Sequence, residues 1–188
     1  MTIPEVVLFS GKMGTGKNHI AAEMRREAEA RGQKCIELAF ATTLKAMICG
    51  KGIDPGELLS GTKTAQTRQL LTQTGQDCRS ENGPEFFAKT LHFLICHFFE
   101  QGYTTFFITD LRLQVEFWYF LGLDTRDIFN TTFYRITAPK RNRARLLAEA
   151  KGDEEVADKL AANISEVDLD EISQSHPSFI QLYNDHNV

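Results

Sequence analysis

Several features are scarce in this chain, and each scarcity narrows what it does. Long apolar runs are missing: within the 188 residues none approaches the roughly 20 that span a bilayer. The first residues lack the basic, apolar and small-residue zones of a signal peptide. Cysteine pairing patterns are missing as well, since Cys35, Cys49, Cys78 and Cys96 are widely spaced and form no C-x-x-C pair. They read as reduced thiols, mostly packed, and the expected location is intracellular and cytoplasmic. The five histidines show no H-E-x-x-H or similar ligand spacing, which leaves a structural metal without support. Nor is there a basic excess: 21 Lys and Arg against 25 Asp and Glu leave a net charge of −4. No global field therefore points to nucleic acid or to an acidic membrane as partner. A polyphosphate needs only a local cluster of cations, which this balance allows. Repeats and low-complexity linkers are absent too. The remaining expectation is one domain over 1–188, long enough to bury a real core.

On that plain background one stretch stands out. Val6-Val7-Leu8-Phe9 has the length of a buried parallel strand and feeds Ser10-Gly11-Lys12-Met13-Gly14-Thr15-Gly16-Lys17-Asn18, after which a helical pattern begins. This is the layout of a phosphate-binding P-loop, G-x-x-x-x-G-K, except that Asn18 stands where Ser or Thr is usual. Glycines tolerate conformations that a Cβ forbids, so successive backbone N–H groups can converge on a phosphate. The start of the next helix adds partial positive charge, and Lys17 can reach the outer phosphates. Gly11, Met13, Gly14, Thr15, Gly16, Lys17 and Asn18 are therefore the candidate nucleotide-phosphate site. The plain alternative is an ordinary strand–turn–helix with a glycine turn.

The rest of the chain alternates strand-like and helix-like segments. Strands are expected over 6–9, 35–40, 104–109, 132–137 and 179–182. Helices are expected over 17–31, 42–48, 64–73, 84–100, 113–121, 140–151 and 153–162, with a connection rich in Gly, Pro and Asp over 50–61. Pro84 suits the first turn of the long helix, whose Phe86, Phe87, Leu91, Leu94, Ile95, Phe98 and Phe99 read as core. Such alternation means α/β: a parallel sheet covered by helices on both faces, three layers in all. Ligands of such sheets sit at the C-terminal ends of the strands. That puts the glycine loop, Asp110 and the residues after Thr137 on one rim.

Asp110 follows an apolar strand and is placed like the acid that supports Mg²⁺, or else orients an attacking oxygen. Arg112, two residues on, could grip phosphate bidentately; the bland alternative is a surface pair capping the next helix. Arg141, Arg143 and Arg145 follow Pro139, an apt place for a hinged helical lid. On a helix 141 and 145 share a face while 143 points elsewhere. A solvated basic face paired with Glu149, Glu154 and Glu155 is the alternative. Lys45, Arg68 and Arg79 could receive the phosphate of an acceptor, or lie on a solvated surface. Phe40, Phe86, Phe87 and Gln73 are candidates for a base pocket, and each also fits the core or the surface.

Several of these pieces together resemble the deoxynucleoside monophosphate kinases of phages and large DNA viruses, relatives of the animal-type phosphomevalonate kinases. The matching residues are Phe9-Ser10-Gly11-Lys12 through Gly16-Lys17, Leu44-Lys45, and Arg68-Gln69-Leu70-Leu71-Thr72-Gln73-Thr74-Gly75-Gln76-Asp77. Asp110-Leu111-Arg112 with Glu116, Asn163-Ile164-Ser165-Glu166 with Leu169-Asp170, and Asn184-Asp185 continue the match. The resemblance implies a P-loop kinase fold with an acceptor-binding region over about 42–83 and a lid over about 138–168. It implies transfer of the ATP γ-phosphate, with Mg²⁺, to a phosphate monoester. In that scheme Lys17 and the loop amides hold the donor, with Arg143 assigned to the same nucleotide. Arg68 and Arg79 look like acceptor-phosphate ligands, joined by Lys45 and Gln73. Asp110, Arg112, Arg141 and Arg145 look catalytic, Asn18 and Asp110 are the metal candidates, and Ser165 and Glu166 look like positioning groups at the end of the lid.

Three positions depart from the family pattern. Asn18 replaces its usual Asp, and a neutral amide supports Mg²⁺ less well; Thr43 replaces a Pro; and the chain stops just after Asn184-Asp185, where relatives continue into a final helix. Either the core is closed differently or an oligomer, such as a homodimer, supplies the missing cover. The expected activity is phosphorylation of a deoxynucleoside 5′-monophosphate by ATP, in an enzyme of phage or viral type. Alternatives are a kinase of another phosphate monoester, such as phosphomevalonate, and a nucleotide-binding regulatory protein without transfer.

Overall fold

A computed structural model describes residues 3–49, 64–162 and 167–185. The expected connection over 50–61, and Ser165 and Glu166, lie outside the described residues. Five strands form one sheet: β1 (Glu5–Ser10), β2 (Cys35–Leu38), β3 (Thr105–Leu111), β4 (Asn130–Thr137) and β5 (Phe179–Tyr183). Every pairing is parallel and the order is β2-β3-β1-β4-β5. The central strand β1 is buried at Val6, Val7, Leu8 and Phe9 because helices cover both its faces, so it reads as an unbroken apolar run.

The helices are α1 (Lys17–Ala30), α2 (Phe40–Cys49), α3 (Ala65–Asn82), α4 (Phe86–Glu100), α5 (Gln114–Asp124), α6 (Pro139–Glu149), α7 (Glu154–Ala161) and α8 (Asp170–Ser175). On one face of the sheet Leu8, Phe106, Ile108, Phe133 and Phe179 pack with Leu91 and Ile95 of α4 and Phe117 and Phe120 of α5. Phe117 lies with its ring 5.0 Å from Phe179 and 4.9 Å from Phe133. On the other face Val7, Phe9, Phe107 and Ile136 meet Ala21 and Ala28 of α1. The helices α6 and α7 hold to each other through Leu146, Ala150 and Ala157.

Three expectations are corrected, and one short helix had no counterpart among them. The second strand stops at Leu38, and Phe40 instead opens α2, because the amides of Phe40 and Ala41 donate to the Asp110 carboxylate. The third helix runs past Gln73 to Asn82: Gly75 weakens it locally, but Leu44 of α2 packs beside that glycine. Pro84 falls in the turn ahead of α4, whose helical residues begin at Phe86. The short α8 has no periodic apolar signal and is fixed by buried Leu169 and Ser173.

The chain leaves β1 toward β2 but leaves β3 toward β4, on the opposite side of β1. The ends of β1 and β3 are therefore a topological switch point, and the register shifts there, between Leu8 and Ser10. Among the described residues no helix is long and apolar enough to cross a membrane.

Candidate functional site

The loop between β1 and α1 is held in a conformation that only glycine accepts comfortably. Gly14 and Gly16 have φ of 77° and 88°, and Gly16 is the left-handed N-cap residue of α1. Without a cap side chain or an acidic residue in the first turn, the positive end of α1 faces the loop unopposed. Lys17 is buried and folds back across the loop, its Nζ donating to the carbonyls of Gly11 at 2.6 Å and Lys12 at 2.8 Å. Thr15 Oγ1 donates to the same Lys12 carbonyl at 2.9 Å. A positive charge is thus parked against two carbonyls of the loop.

Helix α6 is seated directly on this loop. Asn142 Nδ2 donates to the Met13 carbonyl at 2.7 Å, and a Cβ on Gly14 would come within 2.7 Å of Arg145 Cβ. The Arg141 guanidinium stands 3.7 Å from where a Gly16 Cβ would lie. Asn184, just after β5, donates to the Thr15 carbonyl at 2.9 Å. Its neighbour Asp185 accepts from the amides of Lys140 at 3.2 Å and Arg141 at 3.4 Å and from the Tyr183 hydroxyl at 3.1 Å. Burial opposes ionisation of Asp185, but those three donors outweigh it and hold the carboxyl below its ordinary range. Arg143 points away, paired with Glu154 and Asp158 of α7. The base of the loop is braced by Asp170, which meets Lys12 Nζ at 3.0 Å and the buried Arg135 at 2.6 Å.

Asp110 sits near the end of β3 on the same rim. Both its oxygens accept backbone N–H groups, from Phe40 at 2.9 Å and Ala41 at 3.0 Å, so it caps α2 while facing the crevice half-exposed. Glu116 is fully buried beside it. Its Oε2 accepts from the amides of Arg112 at 3.1 Å and Leu113 at 3.0 Å, and Oε1 lies 3.8 Å from Arg79. Desolvation, then the charge of Asp110, raises Glu116 to about 7 despite those donors. The Arg79 guanidinium lies over the Phe87 ring at 4.8 Å.

The remaining candidates separate. Arg68 of α3 and Arg145 of α6 both meet Glu149, each at 2.9 Å. Lys45 is half-buried on α2, Asn18 is exposed on α1, and Gln73 is exposed and bonded to Asp77. Phe40 and Phe87 are buried in the core with Phe86 packed against it, so these rings do not line an open slot. The sequence named Glu149 only as a partner for the arginines, which it is for Arg145, and quoted Asp170, Asn184 and Asp185 only as part of the resemblance; it gave Asn142 no role. Only Glu116, three residues into the start of a helix, carried a local signal, that of an N-terminal capping acid. Among the described residues no group of three His, Cys, Asp or Glu could hold a metal by itself.

A parallel sheet with helices on both faces and a glycine loop at its switch point defines the class: an α/β domain that places a ligand at the C-terminal rim. In sequence, no family model and no curated protein matches the chain. In structure it is similar to a "putative kinase" from Chloroflexus aurantiacus J-10-fl, with a TM-score of 0.53. That likeness covers 99% of this chain and 88% of the other at 12% identity, and it establishes a shared fold.

Proposed function

We propose that the chain is a P-loop kinase that moves the γ-phosphate of ATP to a deoxynucleoside 5′-monophosphate. The observation that carries this reading is the seating of α6 over the glycine loop, which gathers Lys17, Arg141 and the uncapped end of α1 around one small volume. Cations and preorganised amides so arranged stabilise charge spread over a transferring phosphoryl group, where positioning and electrostatics supply most of the rate. The structural neighbour's description as a kinase agrees with this reading. Glycine at 14 and 16 lets α6 and Asn184 come close to the loop backbone, and the cradle so formed is read as the seat of a nucleotide polyphosphate. Mg²⁺ binds through few protein oxygens plus phosphates and water, which the Asn18 amide and the Asp110 carboxylate fit as donors. When bound, the ion would neutralise phosphate charge. Choice of a nucleotide acceptor follows the sequence resemblance, with Arg79 and Arg68 taking its phosphate.

A second reading, nucleotide binding without transfer, is favoured by Asn18 and by the engagement of both Asp110 oxygens in capping α2. An ADP-release assay with ATP, Mg²⁺ and a panel of dNMPs beside mevalonate 5-phosphate separates the readings. Turnover of a dNMP is the expected result; turnover of mevalonate 5-phosphate alone moves the acceptor, and ATP binding without any turnover favours the second reading. Lys17→Ala is expected to fold, because its hydrogen bonds to the Gly11 and Lys12 carbonyls are worth about 1 kcal/mol each and the sheet core does not depend on them. It should lose at least about a hundredfold in kcat, the scale of removing one transition-state donor.

A further inference from the structure

One buried carboxylate carries a charge that its local setting does not require. Glu116 stands in the first turn of α5 with its side chain 5% exposed. Its Oε2 accepts from the amides of Arg112 and Leu113, which caps the start of the helix. A glutamine would serve those two donors equally well, because capping needs an acceptor and not a charge. Burying a carboxylate next to Asp110 is costly unless a cation answers it.

Among the described residues the answering cation is Arg79 of α3. Its Nη2 stands 3.8 Å from Glu116 Oε1, within ion-pair range but too far for a hydrogen bond. The attraction therefore orients the guanidinium without consuming its N–H groups. Two further contacts fix its place. Nη1 donates to the Gly75 carbonyl one turn back at 3.3 Å, and the group lies over the Phe87 ring of α4 at 4.8 Å. Arg79 is thus held from α3, α4 and α5, yet its side chain remains 31% exposed. A planar guanidinium held in this way loses little rotamer freedom when it meets a phosphate.

We propose that Glu116 is a positioning residue of the acceptor side, whose buried charge aims the Arg79 guanidinium at the phosphate of the acceptor monoester. This rests on reading Arg79 as an acceptor-phosphate ligand. The sign of the effect is diagnostic. A carboxylate that merely stood near the anion would repel it, and one that merely neutralised Arg79 would compete for the guanidinium. In both cases removing the charge tightens phosphate binding. A carboxylate that orients Arg79 does the opposite: its removal weakens binding, because the side chain must then be ordered at the moment the phosphate arrives.

The test is calorimetric titration of dTMP and of mevalonate 5-phosphate at pH 8, where Glu116 is largely ionised, into the 188-residue chain. Wild type, Glu116→Gln, Arg79→Gln and E116Q/R79Q are compared. Glu116→Gln is expected to weaken binding of the monoester roughly fivefold, the scale of ordering one long side chain. Arg79→Gln should weaken it further, and the double variant should bind no more weakly than Arg79→Gln. In steady-state assays the loss should fall on the KM of the monoester and spare that of ATP, which a general disturbance of the fold would not. Equal or tighter binding by Glu116→Gln overturns the proposal, as does a loss that persists in full on the Arg79→Gln background. If Glu116→Gln does not fold, Glu116→Asp, one methylene too short to reach both the amides and Arg79, is expected to weaken binding in the same way, and equal or tighter binding again overturns the proposal. If neither monoester binds, or Arg79→Gln leaves binding unchanged, Arg79 is not an acceptor ligand and the proposal falls with that reading. An Arg79-dependent loss of binding with no turnover of any monophosphate leaves the positioning role standing and removes the kinase reading.

Discussion

Glu116 is the residue whose environment departs furthest from its ordinary one. The fold buries a carboxyl beside Asp110 and leaves it two backbone amides and a distant Arg79 as compensation. Its pKa rises from 4.5 to about 7, so between those values the folded chain holds a proton that the unfolded chain has lost. Stability must then fall as pH climbs through that window and level off above it, by roughly 3 kcal/mol at most if the whole shift is expressed. Glu116→Gln keeps an acceptor for the two amides and cannot ionise. Denaturant midpoints at pH 5 and pH 8 should therefore differ in the wild type and converge in the variant. An undiminished slope in Glu116→Gln would place the pH dependence elsewhere.

At the scale of elements, the decisive contact is between the glycine loop and α6. It leaves no room for a side chain at Gly14, whose φ of 77° would also strain any other residue. Gly14→Ala should therefore cost about 1–2 kcal/mol in backbone strain alone. Displacement of α6 by the new Cβ would add to this, exposing that helix to protease while the sheet core keeps its amide-exchange protection. Unchanged proteolysis in a destabilised variant would mean that α6 does not depend on the loop for its seat. This contact also separates what the sequence made legible from what it did not. The loop glycines, Lys17 and the strands announce themselves locally, because a buried parallel strand is a continuous apolar run and a glycine turn has a fixed spacing. Asp185 caps α6 from 45 residues away in the chain, and Asp110 meets Phe40 across 70. No local pattern encodes such partners. Arg143 illustrates the same limit from the other side: its place on the helix after Pro139 was legible and Glu154 stood among its candidate partners, but Asp158 joins it only because α7 folds back. The run of α3 through Gly75 likewise depended on Leu44 packing beside that glycine, a tertiary contact overriding propensity.

For the whole molecule, charge is the informative property. The chain carries a net −4, yet Lys12, Lys17, Arg141 and Arg145 surround the glycine loop, with Asp170, Glu149 and Asp185 as acids beside them among the described residues. A polyanion approaching from a distance meets repulsion; once within a few ångströms it meets a positive cluster whose walls are partly desolvated. At about 0.01 M salt the screening length is near 30 Å and both fields act, whereas at about 0.15 M it is near 8 Å and only the cluster is felt. Raising salt therefore removes distant repulsion first and weakens local attraction later. The expected outcome is an ATP affinity that changes little up to roughly 0.1 M salt and declines above it. Arg141→Gln should lower the affinity throughout and flatten the decline, because one cation has left the cluster. Fluorescence titration of an ATP analogue over that salt range measures both curves. A steep, monotonic loss from the lowest salt upward would mean that long-range attraction dominates, and that the loop is not a small positive island on an acidic surface.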